Sequence, residues 1–500
     1  MLLHELLEQT AQRVPDRCAL VVGERRYSYT YIDQLASKMA ARLDAHGVSR
    51  GDRVAIYLDN GLDAVVAIFA TLKCGAVFIP VNPLTKSDKL AYLLGDAGAV
   101  VLFTQESLRS EFTLALRKAF SVRACLVVEK DGAECESALC STRRNSTSAI
   151  DMDLASIIYT SGSTGNAKGV MLTHLNMLTA ARSVTQYLGL LQEDIILCAL
   201  PLAFDYGLYQ VLMGFMQGAT VVLERSFAFP VKVLQQMVVE GVSVFPGVPT
   251  MFSMLLNLKS MNQFDLAGLR MITNTAAALS ERHIRELREL FPHAQLFSMY
   301  GLTECQRVSY LPPEQLEIRP TSVGRGMPNE EVWLADESGR RLPSGSTGEL
   351  VIRGSHVMRG YWRKPEATAR RLKVDAASGE TVLYSGDIFR SDADGYLYFV
   401  ARKDDIIKSR GEKVSPREVE NVLYGMAAVQ DAAVIGVEDE LLGQAVKAFV
   451  VLRDGQNCSE RDIIKYCAAR LESFMTPKFV AIVQALPRTD TGKISKIGLH

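Results

Sequence analysis

Short runs of β-branched residues alternate with helix-periodic segments over the first 400 residues, and this alternation limits the possible folds more than any other feature. Residues 53–60 predict a strand, and the segment that follows has helical spacing that ends at Gly75. The same order returns at 219–242 and at 269–292. Because strand, helix and strand form a crossover unit, successive strands of this kind lie parallel in one sheet. The pattern predicts an α/β fold with two similar, mostly parallel sheets.

The sequence pattern changes near Gly324, where short strands separated by Gly, Asp and Pro turns begin. Such spacing is typical of antiparallel hairpins or a distorted β-barrel. After Asp404 a compact tail mixes two helical segments with three strand-like ones. We therefore expect a large N-terminal domain over residues 1–402, with its barrel-like part at about 324–402. Residues 403–500 are expected to form a small, mobile α+β lid.

Composition excludes several classes of function. Lys plus Arg number 55 against 56 for Asp plus Glu, so no basic excess points to nucleic acid or an anionic membrane. The uncharged run 241–258 contains Pro246 and Pro249, which argue against a membrane-spanning helix, and the N-terminus lacks the apolar core of a signal peptide. Nine cysteines without a CxxC pair are typical of reduced thiols, so we expect a cytoplasmic protein without membrane insertion.

A loop rich in glycine and hydroxyl residues follows the strand-like segment that ends near Thr160. Glycines let backbone N–H groups approach an anion, hydroxyls add donors, and a lysine adds a full positive charge. The loop therefore has the composition of a phosphate-binding site, although no Gly-Lys-Ser/Thr triplet makes it a Walker A motif. Its candidate phosphate ligands are Thr160, Ser161, Gly162, Ser163, Thr164, Gly165 and Lys168.

This loop resembles the phosphate loop of the adenylate-forming superfamily, which includes acyl-CoA synthetases, stand-alone adenylation enzymes and luciferases. Five further motifs stand in the order typical of that superfamily, so the resemblance covers essentially the whole chain. They are YGLTE at 300–304, GEL at 348–350, YSGD at 384–387, RKDDIIK at 402–408 and TGK at 491–493. The resemblance implies an AMP-forming ligase that uses ATP and Mg²⁺ to activate a carboxylic acid and then forms a thioester.

The resemblance also implies roles for individual residues. Thr303 would reach the α-phosphate of ATP, Glu304 would bind magnesium, and Lys493 would bridge the α-phosphate and the carboxylate. The nucleoside contacts would come from Asn274, Thr275, Ala276 and Ala277 beside the adenine, from Tyr300 and Gly301, and from Asp387 and Arg402 at the ribose. Asp404 would be the hinge of the lid, and Gly411 would line the tunnel for the thiol. An adenylate-binding sensor or a luciferase-like protein is the alternative from another class, and the presence of the catalytic set argues against it.

The segment 201–207 departs from the pattern of acyl-CoA synthetases, because Phe204 stands where they usually have histidine. Phe204 and Asp205 resemble the amino-acid-activating branch, in which an aspartate pairs with the substrate ammonium. Asp205 could instead cap a helix that begins near Gly207. With Phe204, Asp205 and Val248 in the substrate pocket, we expect an acyl or aryl acid, and a small amino acid such as proline as the alternative. The acceptor would be CoA or the phosphopantetheine of a separate acyl or peptidyl carrier protein.

Overall fold

The computed structural model describes residues 1–128, 149–160, 167–275, 279–409, 412–439, 442–471, 473–489, 494–496 and 498–499. Four sheets and the helices packed against them make up this part of the chain. No helix within these ranges combines the length and the apolar character needed to cross a membrane.

The first sheet has nine strands among the described residues, and its central strands are parallel. The strands are β1 Cys18–Val22, β2 Arg25–Ser28, β9 Ile195–Cys198, β10 Thr220–Leu223, β11 Val244–Gly247, β12 Met271–Asn274, β13 Gln295–Tyr300, β14 Ser309–Leu311 and β15 Arg325–Gly326. Their order across the sheet is β15-β14-β13-β12-β11-β9-β10-β1-β2.

The second sheet has seven described strands. They are β3 Arg53–Tyr57, β4 Val77–Pro80, β5 Val101–Gln105, β6 Ala124–Val128, β7 Leu154–Thr160, β8 Lys168–Thr173 and β18 Gly360–Tyr361. Their order is β18-β8-β7-β4-β3-β5-β6, and the sheet is parallel from β7 to β6. Strand β8 runs antiparallel to β7, and β18 antiparallel to β8.

Helices pack between and around these two sheets. They are α1 Glu5–Arg13, α2 Tyr29–Ala45, α3 Leu62–Lys73, α4 Ser87–Ala97, α5 Arg109–Leu116, α6 His174–Leu188, α7 Asp205–Gln217, α8 Pro230–Glu240, α9 Pro249–Leu256 and α10 Glu281–Leu290. Helix α3 is buried on every face from Ala64 to Leu72, as expected for a helix enclosed between layers. Phe69 of α3 stacks on Phe215 of α7 with ring centroids 5.5 Å apart, so one core serves both sheets.

The third sheet is antiparallel and follows the two large ones in the chain. Its strands are β16 Glu330–Ala335, β17 Thr347–Gly354, β19 Leu372–Val374, β20 Thr381–Ser391 and β21 Leu397–Arg402, with helix α11 Pro365–Arg371 before β19. The fourth sheet has its own small core and carries two helices. Its elements are β22 Ile407–Ser409, β23 Glu412–Val414, α12 Pro416–Tyr424, β24 Val429–Asp439, β25 Gly443–Leu452, α13 Glu460–Ala468 and β26 Phe479–Ile482.

The predicted fold class is confirmed: two mostly parallel sheets, an antiparallel sheet and a small C-terminal α+β unit. Local chemistry explains why several helix starts could be predicted. Ser280 and Ser415 cap α10 and α12 through their hydroxyls, and Ser459 forms a capping box with Asp462 at the start of α13. One boundary prediction is wrong: α7 begins at Asp205 rather than near Gly207.

Candidate active site

The candidate site lies where parallel strands of the first sheet end. Strands β11, β12 and β13 are neighbours, and their register places Gly247 beside Asn274 and Asn274 beside Ser298. Open α/β sheets bind ligands at the carboxyl edge of their strands. The ends of β12 and β13 and the residues directly after them include the predicted adenine contacts and the YGLTE motif, so the topology brings together segments that are distant in sequence.

A tight loop follows β13 and has a fixed conformation. The N–H of Val308 donates to the carbonyl of Tyr300 over 2.9 Å, which closes the loop at its base. A Cβ on Gly301 would lie 2.2 Å from the carbonyl oxygen of Gln306, so only glycine fits there. Gln306 itself has a positive φ of 66°. The threonine and glutamate of the YGLTE motif are carried on this constrained loop.

Glu304, Tyr361 and Lys168 form a connected set on the phosphate side of the site. The Tyr361 hydroxyl donates to Oε1 of Glu304 over 2.6 Å. The Nζ of Lys168 lies over the Tyr361 ring, 5.6 Å from its centroid. Lys168, the first residue of β8, pairs in register with Thr160, the last residue of β7, at the end of the two strands that residues 161–167 connect. The predicted phosphate ligands Ser161, Gly162, Ser163, Thr164 and Gly165 lie outside the described residues.

Asp387 is the centre of the predicted ribose site. Its Oδ2 accepts a 2.6 Å hydrogen bond from the Tyr300 hydroxyl, and its Oδ1 lies 3.3 Å from Nε of Arg402. Burial raises the pKa of Asp387, and the charge of Arg402 opposes that rise. Burial would lower the pKa of Arg402, but the Asp387 carboxylate, first among its charged neighbours, holds it above its ordinary value. Asp387 and Arg402 are also opposite each other in β20 and β21.

Two of the predicted adenine contacts are described, and both are buried. Asn274 has no exposed surface and Thr275 follows it directly, whereas Ala276 and Ala277 lie outside the described residues. The Tyr300 ring packs edge-to-face on Phe389, with centroids 4.8 Å apart. This packing and the hydrogen bond to Asp387 fix the orientation of the ring.

The predicted substrate residues lie at the start of α7 and after β11. Asp205 is buried, and its Oδ1 accepts a 2.8 Å hydrogen bond from the N–H of Tyr206. Phe204 precedes the helix and is half-buried, and Val248 is buried. Asp205 thus contacts the backbone of the first helical turn, one position later than a capping residue would stand. This contact stabilises the helix start.

A bond network joins the GEL motif to the predicted hinge. Oε1 of Glu349 accepts a 3.0 Å hydrogen bond from the Gly386 N–H, and its Oε2 accepts a 2.8 Å bond from Nζ of Lys403. Asp404 lies in the short 3₁₀ turn that connects β21 to β22. Gly411 and Lys493, predicted for the thiol tunnel and for adenylation, lie outside the described residues.

Sequence reasoning missed two residues of the site. Tyr361 contacts Glu304 across 57 residues of sequence, and only the pairing of β18 with β8 brings it there. Arg307 is buried three positions after Glu304. A charged residue in an otherwise apolar stretch after the YGLTE motif was the available signal for Arg307. No local pattern identified Tyr361.

Comparison with known proteins agrees with this geometry. The AMP-binding enzyme family matches residues 7–362, and the AMP-binding enzyme C-terminal domain matches residues 418–493. The chain is 30% identical to 4-coumarate–CoA ligase 5 of Oryza sativa subsp. japonica, over 100% of this chain and 94% of the ligase. It is also 30% identical to a linear gramicidin synthase of Brevibacillus parabrevis, over 99% of this chain but only 6% of that much longer protein.

A solved structure shows the same fold with its nucleotide bound. The o-succinylbenzoate coenzyme A synthetase of Bacillus subtilis, in complex with ATP and magnesium ion, superimposes with a TM-score of 0.87 at 28% identity. The alignment covers 98% of each chain. Since the first family match alone spans more than half of the sequence, the resemblance noted from the motifs is confirmed. This chain belongs to the AMP-binding enzymes of the adenylate-forming superfamily.

Proposed function

We propose that the chain activates a small carboxylic acid with ATP and then transfers the acyl group to the thiol of coenzyme A. In the first step a carboxylate oxygen attacks the α-phosphorus and pyrophosphate leaves. In the second the thiol sulfur attacks the acyl carbonyl carbon and AMP leaves. The protein's task in phosphoryl transfer is chiefly to position the reactants and to stabilise charge. The observation that carries the proposal is the convergence of the phosphate-side contacts and the Tyr300–Asp387–Arg402 contacts on one loop.

The phosphate side of the site suits a nucleotide with magnesium. Lys168 would add positive charge beside the β- and γ-phosphates, and the Thr303 hydroxyl would reach the α-phosphate. Tyr361 engages one oxygen of Glu304, and the other is left to contact a cation. A cation that bridges phosphates typically takes only one or two protein carboxylates, so this donor set fits magnesium. When bound, the ion would neutralise charge on the phosphates.

The side chains on the nucleoside side of the site are already held in place by contacts within the protein. The carboxylate of Asp387 would accept hydrogen bonds from the ribose hydroxyls, and Arg402 would add a donor beside it. Because Tyr300 and Arg402 both fix the carboxylate, ribose binding costs little side-chain ordering. Asn274 and Thr275 would line the adenine pocket.

We propose that residues 403–500 act as a lid that turns about Asp404 between the two steps. A hinge needs only a few residues at an element end that absorb backbone rotation. The Lys403–Glu349 ion pair, at 2.8 Å, ties the residue directly before that hinge to β17. Lys493 would serve the adenylation step, and the segment around Gly411 would serve the thiol step.

The test measures the two steps separately. Purified protein with ATP, Mg²⁺ and a panel of fatty, aromatic and amino acids should release pyrophosphate, and CoA should then yield an acyl-CoA detectable by mass. Glu304→Gln should lower pyrophosphate release by roughly 10²–10³-fold, the usual effect of losing one group that stabilises transition-state charge. Absence of pyrophosphate release with every acid would contradict the proposal.

The acceptor is decided by a parallel measurement. Similarity to a linear gramicidin synthase makes a phosphopantetheine carrier protein the second candidate acceptor. Thioester formation on CoA and on a carrier protein bearing phosphopantetheine should be compared at equal thiol concentration. We expect CoA to be the better acceptor; faster loading of the carrier would reverse that assignment.

A further inference from the structure

Arg307 is a buried cation that the nucleotide chemistry does not use. The side chain is among the largest fully buried ones of the described chain, with 2% of its surface exposed. Its Nε donates no hydrogen bond to any described residue. No described carboxylate lies within ion-pair distance of its guanidinium. Burying an arginine without an acidic partner costs free energy. An anionic group of a bound ligand would offset that cost.

The position of Arg307 places it against the predicted substrate pocket. Its guanidinium lies over the ring of Tyr206, 5.1 Å from the centroid. The Tyr206 hydroxyl contacts the carbonyl oxygen of Thr273 at 2.9 Å, directly before Asn274 at the end of β12. Arg307 also follows Glu304 on the loop after β13. It therefore lies between the nucleotide loop and the helix start that bears Asp205.

Two acidic groups of the neighbouring elements, Asp205 and Glu330, each accept a backbone N–H. One oxygen of Asp205 accepts the N–H of Tyr206. Glu330 accepts the N–H of Met327 with one oxygen over 3.0 Å, and its other oxygen lies 2.8 Å from Nε2 of His356. Arg319, also stacked on a tyrosine, has the acid that Arg307 lacks: its Nε lies 3.0 Å from Asp392. Of these two stacked arginines, only Arg319 has an acidic partner among the described residues.

We propose that Arg307 binds a second carboxylate on the substrate, so that this enzyme activates a dicarboxylic acid. The inference rests on the proposed function, because it names the acid that the adenylation site takes. A guanidinium presents a planar fork of donors that matches a carboxylate, and it keeps its charge when buried. One carboxylate would face the α-phosphate of ATP, and the other would pair with Arg307 beside Tyr206.

The experiment compares acids that differ only at the distal end. Pyrophosphate release is measured with glutarate against pentanoate, adipate against hexanoate, and terephthalate against 4-methylbenzoate. The wild type should prefer the dicarboxylic member by on the order of 10²-fold in at least one pair, because a site built for a polar group rejects the analogue that lacks it. Arg307→Met should abolish or invert that preference, and Arg307→Lys should keep part of it.

The control is Arg319→Met, which removes a stacked arginine outside the site and should leave the preference unchanged. Thermal stabilisation of the wild type and of the variants by the same acids, with ATP and Mg²⁺, provides a readout that needs no turnover. The inference is overturned if the wild type prefers the methyl-ended acid in every pair, or if Arg307→Met keeps the wild-type ratio. A dicarboxylic acid that selectively stabilises the protein in the presence of ATP and Mg²⁺ but releases no pyrophosphate would count against the proposed ligase activity and leave the binding role of Arg307 supported.

Discussion

Within the described residues, Tyr361 is the one side chain hydrogen-bonded to the Glu304 carboxylate, which makes Tyr361 a positioning residue. Tyr361→Phe removes the hydroxyl that donates to Oε1 of Glu304 and leaves the ring under Lys168 in place. A hydrogen bond to a charged group contributes about 1.5–3 kcal/mol, so kcat/KM should fall by roughly 10–100-fold. The Mg²⁺ concentration for half-maximal pyrophosphate release should rise. Tyr398→Phe, which loses a bond to Asp392 outside the site, is the matched control; an equal effect there would refute the role.

A substitution at Asp205 distinguishes the two candidate classes of substrate, acyl or aryl acids and amino acids. Because its Oδ1 accepts the N–H of Tyr206 in the first turn of α7, Asp205→Ala should lower stability by about 1 kcal/mol, the usual net contribution of one hydrogen bond. If the carboxylate paired with a substrate ammonium, the same change would weaken amino-acid activation by about 2–5 kcal/mol. We expect no robust pyrophosphate exchange with any amino acid. Exchange with one of them that is lost in Asp205→Ala would establish the amino-acid alternative.

The hydrogen bond that joins the N-terminal residues to helix α6 depends on an uncharged histidine. Nδ1 of His174, the first residue of α6, accepts the Leu3 N–H over 3.0 Å. Burial, with the nearby His4, lowers the pKa of His174 from 6.5 to about 4. His174 therefore binds a proton below pH 6.5 in the unfolded chain, whereas in the folded chain it stays neutral until the pH approaches 4. This contribution to stability is complete above that pH and is lost as the pH falls towards 4.

The size of this effect can be measured against a variant. At 1.36 kcal/mol per pKa unit, acidification to pH 5 should cost the wild type about 2 kcal/mol through His174. His174→Gln keeps an acceptor for Leu3 but cannot titrate. The urea midpoints of wild type and variant should therefore move closer together, or cross, between pH 7 and pH 5. Parallel pH dependence in the two proteins would exclude His174 as the titrating group.

Elements defined by local chemistry could be predicted from the sequence, and contacts across sheets could not. The helices capped by Ser280, Ser415 and Ser459 have their signals within four residues of sequence. Asp387 and Arg402 were each predicted as ribose contacts because both lie in motifs, whereas their pairing with each other comes from the register of β20 and β21. Tyr361 reaches Glu304 only because β18 pairs with β8, a register that no local periodicity encodes. That no described carboxylate pairs with Arg307 is likewise a property of the assembled core.

At the scale of the whole molecule, the proposed mechanism requires a lid whose two faces serve two steps. The described residues on either side of 490–493 contact each other, and Arg488 also contacts the C-terminal sheet. Arg488 pairs with Ile494 in an antiparallel bridge, and Nη2 of Arg488 lies 2.7 Å from Asp431 of β24. Movement of the fourth sheet would therefore carry this tail with it. Lys493 itself is outside the described residues, and its role is an expectation from the TGK motif.

Lys493→Ala tests whether the two half-reactions are divided between two lid orientations. Loss of one donor that stabilises transition-state charge costs on the order of 10²–10³ in rate, or about 3–4 kcal/mol, so adenylate formation should fall by that factor. Thioester formation from supplied acyl-adenylate and CoA should remain close to the wild-type rate, because the lysine would have left the site by then. Lys496→Ala is the matched control, since Lys496 lies three residues further on and pairs with Glu420 at 2.8 Å. It should affect neither step. An equal loss of both half-reactions in Lys493→Ala would mean that one lid orientation serves both steps, and the assignment of Asp404 as the hinge between them would fall with it.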